Sequence, residues 1–211
     1  MADPGNPHLA SELLLGGAPL DGARRAAIVL HGRAQSPEYM LEHLVSLLDL
    51  DDVAYLLPRA HGASWYPGRY FDPRERNQPG LDHALAAVDH ALDRLHGAGF
   101  GPERIVLVGF SQGGCLACEH IALRPGRCAG AAVLTGCLIG DAEERSLPRL
   151  PDLAIYLGTR EGDDWVSAAH VRRTGAAFAR AGADVTLDVR APGPHQIDAE
   201  DVAATRALLL P

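Results

Sequence analysis

The sequence contains no lysine: all 19 basic residues are arginines, set against 27 acidic ones for a formal net charge of -8. The arginine-only bias, with abundant alanine and glycine, matches the coding habit of a GC-rich genome and implies no mechanism. The acidic balance does imply something. A phosphate backbone would meet a repulsive mean field with no basic stretch to offset it, which argues against nucleic acid as a partner. No apolar run approaches the roughly 20 residues that a bilayer span requires, so no transmembrane segment and no stable membrane association are expected. The first ten residues hold Asp3 and no lysine or arginine, and Leu13 to Leu15 is too short for the apolar part of a secretory leader. A cytoplasmic location is the default expectation. Cysteine is scarce too: Cys115, Cys118, Cys128 and Cys137 lie in apolar, Ala-rich or Gly-rich surroundings and are expected to be reduced core thiols. Cys115 and Cys118 form a C-x-x-C, but a second ligand pair and a thioredoxin-like first unit are both missing. No two histidines have the spacing of a metal motif, so no metal is expected.

What is present is a globular composition, 211 residues with 47% hydrophobic and 22% charged, which suits one domain over residues 1–211 with its core from about 25 to 210. Surface scaling gives about 9,400 Å² folded against about 32,500 Å² unfolded, so roughly 70% of the surface can be buried without staples. From residue 26 onward, short apolar runs alternate with amphipathic stretches. Strands are expected at Ala26 to Leu30, Val53 to Leu57, Ile105 to Val108, Ala131 to Leu134, Leu153 to Leu157 and Val185 to Val189. Helices are expected from Pro37 to Leu48 (apolar stripe Met40, Leu41, Leu44, Val45, Leu47, Leu48), around Leu81 to Leu95, and at Gln112 to Leu123, Val166 to Ala181 and Val202 to Leu210. Ser11 to Leu15 adds a candidate antiparallel edge strand. The alternation predicts an α/β fold with a mostly parallel sheet. Arg59 to Pro79 has turn formers without periodicity, and a loop that long is usually functional.

The chemistry centres on Ile105-Val106-Leu107-Val108-Gly109-Phe110-Ser111-Gln112-Gly113-Gly114. A strand, G-x-S-x-G and a helix in succession form the context of a nucleophile elbow, where a tight turn demands small neighbours two residues away on either side. Ser111 would stand at the carboxyl end of the sheet, beside a helix N-terminus that favours a forming oxyanion. The alternative is a Gly-rich turn that binds phosphate, though the G-x-G-x-x-G fingerprint is absent. A serine needs a base, and the base an acid partner, expected downstream in the order acid then histidine. Asp163 and Asp164 follow the strand at Leu153; Asp163 is preferred because it is left on the loop before Val166, with a helix N-cap as the structural alternative. His195 follows a late strand, sits in a Pro/Gly-rich loop and precedes the last helix, which makes it the candidate base. His61, in the long loop, is a candidate for the site lining. Backbone N–H groups of Arg33 and Gln112 are the candidate oxyanion donors, and the His31 side chain is expected to support that loop by hydrogen bonds.

Leu30-His31-Gly32, Trp65-Tyr66-Pro67, Gly109-Phe110-Ser111-Gln112-Gly113-Gly114, Asp163 with Val166, and His195 together resemble the phospholipase/carboxylesterase family of small α/β-hydrolases. The resemblance covers roughly residues 25 to 210. It implies a compact core with helices on both faces of the sheet and no lid domain, a triad of Ser111, Asp163 and His195, and no cofactor. It also implies that the loop bearing Trp65 and Tyr66 walls the substrate pocket; the alternative is that these aromatics pin the loop, the reading favoured for Tyr70 and Phe71. Two positions depart from the family pattern, Ala34 and Ser167, where glycine and proline are usual. The expected partner is a small-molecule ester, by hydrolysis through an acyl-enzyme. A thioester, a lactone, peptide or C-C bond substrate, a silent binding module and a homodimer are left open.

Overall fold

A computed structural model describes residues 5–210; Asp3, used above for the N-terminus, lies outside them. Seven strands form one sheet in the order β1-β3-β2-β4-β5-β6-β7: β1 Leu14–Gly17, β2 Arg25–Leu30, β3 Val53–Leu57, β4 Ile105–Phe110, β5 Gly130–Leu134, β6 Ala154–Arg160 and β7 Asp184–Arg190. β1 runs antiparallel to β3 at the edge, and all other pairings are parallel. The central strands β2, β3, β4 and β5 are buried on both faces apart from Arg25, which explains their unbroken apolar runs.

The period of two divides each strand between two cores. Ala26, Ile28 and Leu30 lie on the side of the sheet covered by α3 (Gly80–Gly97), α4 (Gln112–Leu123) and α5 (Ala168–Arg180). Ala27 and Val29 face the other side, with Val106, Val108 and Phe110, against the helical segment from Pro37 to Leu48 and α6 (Ala199–Leu209). That first segment is α1 (Pro37–Met40), a π turn (Leu41–Val45) and α2 (Ser46–Leu48), opened by Ser36 as N-cap. Its apolar stripe is narrower than expected: Met40, Leu44 and Leu48 are buried but Leu47 is 57% exposed. The wider π turn alters the angular spacing of the residues that follow it.

The sheet matches the expected class, and the edge strand lies slightly later than Ser11 to Leu15. β6 runs on to Arg160 because it pairs along its whole length with β7. The four cysteines are free; Cys115, Cys118 and Cys137 are buried, whereas Cys128 is only half-buried, a correction to its reading as a core thiol. No helix among the described residues is long and apolar enough to cross a membrane.

Candidate active site

In a parallel sheet the loops that leave the carboxyl ends of the strands converge on one edge, where ligands bind. Here the loops after β2, β3, β4, β6 and β7 meet around a cavity of about 500 Å³ whose lining includes Arg33, Tyr66, Ser111, Gln112, Trp165 and His195.

Ser111 sits between β4 and α4 with φ 53° and ψ -117°, a strained left-handed backbone. Its N–H donates to Leu134 O (2.9 Å), and its carbonyl accepts from Cys115 N–H (3.0 Å), which begins α4. The turn closes only because its flanks lack side chains. A Cβ on Gly109 would lie 2.3 Å from Gly113 O, and one on Gly113 would lie 2.3 Å from Leu30 O.

Asp163 is held on the loop after β6. One of its oxygens accepts the N–H groups of Trp165 (2.9 Å) and Val166 (2.8 Å), and the other accepts from His195 Nδ1 at 2.8 Å. Burial pushes its carboxyl up, but the hydrogen bonds from His195 and Val166 outweigh burial and hold it below the usual carboxylate range. An ionised Asp163 fixes the proton of neutral His195 on Nδ1 and leaves Nε2 without a hydrogen bond among the described residues. Asp164 is exposed, and the N-cap of α5 is Ser167, so neither alternative for Asp163 applies.

The loop carrying His195 is anchored at both ends. Arg160 donates to Ala191 O (3.2 Å), and Arg160 and Arg190 each bind an oxygen of Asp198. Arg190 also donates to Asp201 (2.8 Å), whose carboxyl burial pushes up to about 6 against the opposing pull of Arg190. Asp198 and Asp201 form a reciprocal capping box at the start of α6.

The loop after β2 presents the second group of donors. Gly32 N–H donates to Gln35 Oε1 (3.0 Å), Ala34 N–H to Ala63 O (2.8 Å) and Gln35 N–H to Gly32 O (3.2 Å). Arg33 N–H has no acceptor among the described residues, and Gln112 N–H is one of the unpaired groups that open α4. His31 is fully buried: Nε2 accepts from Ala60 N–H (3.0 Å), so Nδ1 carries the proton and donates to Gly32 O (2.8 Å). Burial lowers its pKa and keeps it neutral, the form those two bonds require.

Ala34 adopts φ 60°, the conformation that a glycine there would supply. Left-handed backbone costs alanine roughly 1–2 kcal/mol, and the freer unfolded chain of a glycine variant returns about 0.4–1 kcal/mol of that. Ala34→Gly is therefore expected to raise stability by about 0.5–1 kcal/mol. A urea titration should show a higher midpoint at unchanged slope.

The structure corrects two assignments. Trp65 is 1% exposed and does not reach the cavity; its indole N–H donates to His31 O (2.8 Å), pinning the long loop to the β2 loop. Gln112 completes that clamp, since its Oε1 accepts Trp65 N–H (3.0 Å) and its Nε2 donates to Tyr66 O (2.8 Å). His61 is exposed and outside the lining, and its N–H donates to His8 Nδ1 at 2.9 Å. Tyr66 does line the cavity. So does Tyr70, expected only to pin the loop, whose hydroxyl accepts the Ser167 N–H at 3.2 Å. A proline at 167 could not make that bond. Trp165, Arg69 and Cys115 also line the cavity and had not been anticipated. Cys115 could have been found, because it stands one helical turn beyond Ser111. Phe71 is exposed and outside the lining. Among the described residues no cluster of histidine, cysteine or acidic side chains could hold a metal ion.

A mostly parallel sheet with a serine at a strand–helix elbow after β4, and an acid and a histidine on later loops, defines an α/β-hydrolase. The chain belongs to the phospholipase/carboxylesterase family, whose profile matches residues 18–209. It is 28% identical to a phospholipase/carboxylesterase from Dyadobacter fermentans, with a TM-score of 0.86 over 94% of this chain and 95% of that one. The Bacillus cereus carboxylesterase shares the fold, with a TM-score of 0.75 at 17% identity over 94% of this chain and 92% of that one. The chain is 37% identical over 147 residues to NocK of Nocardia uniformis subsp. tsuyamanensis, which carries the name of an esterase, covering 66% of this chain and 41% of NocK. It is 31% identical over 104 residues to acyl-protein thioesterase 1 homolog 2 of Dictyostelium discoideum, covering 42% and 47%. The matches thus span less than half the length of both curated relatives.

Proposed function

We propose that this protein hydrolyses carboxylic esters or thioesters through an acyl-enzyme on Ser111. The observation that carries this reading is the 2.8 Å bond from His195 Nδ1 to Asp163, in a cavity that Ser111 and His195 both line. Ser111 Oγ attacks the acyl carbonyl while His195 Nε2 takes its proton; the Arg33 and Gln112 N–H groups stabilise the oxyanion. Collapse expels the alcohol or thiol, protonated by His195. Water then gives its proton to the same nitrogen, attacks the acyl-enzyme and releases the acid. Asp163 stays ionised throughout and stabilises the imidazolium.

In this reading no cofactor takes part, and the protein acts as a one-domain cytoplasmic enzyme on a small ester rather than a bilayer lipid. A fluorophosphonate probe should label the protein stoichiometrically on the peptide that contains Ser111. Hydrolysis of p-nitrophenyl esters of increasing acyl length should show an optimum set by the cavity. Absence of both labelling and turnover would overturn the assignment and favour a silent binding module.

A further inference from the structure

The cavity lining contains two arginines, Arg33 and Arg69, and no aspartate or glutamate, although the whole chain has 27 acidic residues against 19 basic ones. Among the described residues neither guanidinium has a carboxylate within salt-bridge distance, unlike Arg59, Arg145, Arg160, Arg172 and Arg190, each of which does. Arg33 is immobilised by neutral acceptors: Nη1 donates to Pro67 O (3.1 Å), and Nη2 donates to Tyr66 O (3.0 Å) and to Gly68 O. Carbonyl oxygens orient the group without cancelling its charge. Arg69 is placed by aromatic faces, its guanidinium carbon 5.7 Å from the Trp165 ring centre and 6.0 Å from that of Phe71. Trp165 in turn stands 6.3 Å from the His195 ring, so this charge lies on the side of the cavity where the proton is transferred.

Three acids near the cavity, Asp72, Asp163 and Glu119, are engaged elsewhere. Asp72, three residues beyond Arg69, accepts that residue's backbone N–H on Oδ2 (2.7 Å) and is not part of the lining. The Asp163 carboxylate is almost fully buried behind His195 and already accepts three hydrogen bonds. Glu119, beneath the cavity wall, is fully buried and bound by Arg74 and Arg145. The rim therefore holds a standing positive field in a protein whose overall charge is negative, and such a field selects a ligand of opposite sign.

We propose that the cavity takes anionic esters, substrates that carry a carboxylate in addition to the scissile bond, with that carboxylate seated on Arg69 within the field of Arg33. This inference rests on the esterase reading above and narrows it. A planar guanidinium held from behind offers the paired N–H geometry that a carboxylate accepts.

The test uses two matched pairs and follows release of the phenol. On the acyl side, p-nitrophenyl hemiadipate is compared with the same ester methylated on its distal carboxyl; on the alcohol side, p-butyryloxybenzoate is compared with its methyl ester. Wild type should favour the charged member of at least one pair by about tenfold or more in kcat/KM, the scale of one hydrogen bond to a charged group. That preference should shrink when ionic strength rises from about 0.05 to about 0.5 M. Arg69→Gln should cut the preference by at least about fivefold, mainly through KM, and Arg69→Lys should retain part of it. Arg69 is exposed, so both variants should fold, and thermal melting checks this. Turnover of both members of both pairs at equal efficiency would overturn the anionic proposal and leave the esterase intact. A preference that Arg69→Gln leaves unchanged would also overturn it, since the seat would lie elsewhere. Failure to hydrolyse any of the four esters would remove the esterase reading and this proposal with it.

Discussion

Ser111→Ala is expected to lower kcat for a p-nitrophenyl ester by about 10⁶, and Asp163→Asn by about 10⁴, with the fold retained in both. The two numbers differ because the residues do different work. Without Oγ no acyl-enzyme forms, and the remaining acceleration comes from the oxyanion donors and from binding alone. In the proposed mechanism Asp163 touches neither substrate nor Ser111; it accepts the Nδ1–H hydrogen bond of His195 at 2.8 Å and so keeps Nε2 free to receive a proton. An amide at 163 can turn its NH₂ toward Nδ1, which reverses the tautomer and presents a protonated Nε2 to the serine. The same substitution leaves one oxygen for the Trp165 and Val166 N–H groups, so the loop should keep its shape. The double variant should be no worse than Ser111→Ala, because a proton relay without a nucleophile has nothing to relay. Equal losses for the two single variants, or a further loss in the double, would show that Asp163 acts through folding instead. Circular dichroism and urea midpoints measured beside the kinetics separate these cases.

Much of this candidate site is legible in the sequence because its three proposed catalytic residues lie in short contiguous contexts. Ser111 is flanked by the glycines that its turn requires, Asp163 follows a buried strand, and His195 lies in the one Pro/Gly-rich loop between a late strand and the last helix. The sheet was equally open to reading, since burial on both faces leaves unbroken apolar runs. The walls of the cavity were not. Residues 59–79 have no period to say which side chains face inward, and their orientation is decided by partners far along the chain. Trp65 turns away from the cavity because its indole N–H finds His31 O, 34 residues earlier, and Tyr70 turns inward because its hydroxyl meets Ser167 N–H, 97 residues later. Trp165 is 57% exposed and belongs to no apolar stripe, so nothing in its local sequence separates it from an ordinary surface aromatic. Ala34 shows the opposite limit. It stands where the resembled family usually has glycine, and in the structure alanine takes the φ of 60° itself, its N–H donating to Ala63 O.

The elbow itself provides the sharpest test of how sequence and site depend on each other. Gly113→Ala is expected to destabilise the protein by about 3 kcal/mol or more, a large share of the 5–15 kcal/mol typical of a domain. The added Cβ would lie 2.3 Å from Leu30 O, 2.6 Å from Leu30 C and 2.7 Å from His31 O. All three are backbone atoms in the middle of the sheet or just past its edge, so no side-chain rotation can relieve the contact. Relief requires α4 to move away from β2, which separates the Gln112 N–H from the Arg33 N–H across the proposed oxyanion position. The protein that does fold should therefore lose about 10² in kcat as well, the cost of misplacing one such donor. Gly97→Ala is the control: it lies at the end of α3 with nothing within 4 Å of its Cβ, and it should be neutral or stabilising by up to about 1 kcal/mol. Urea midpoints and kcat measured on both variants distinguish a close backbone approach from the general loss of a glycine. If Gly113→Ala melts and turns over like Gly97→Ala, the packing of α4 on β2 is looser than these distances require, and the elbow does not set the spacing of the two donors.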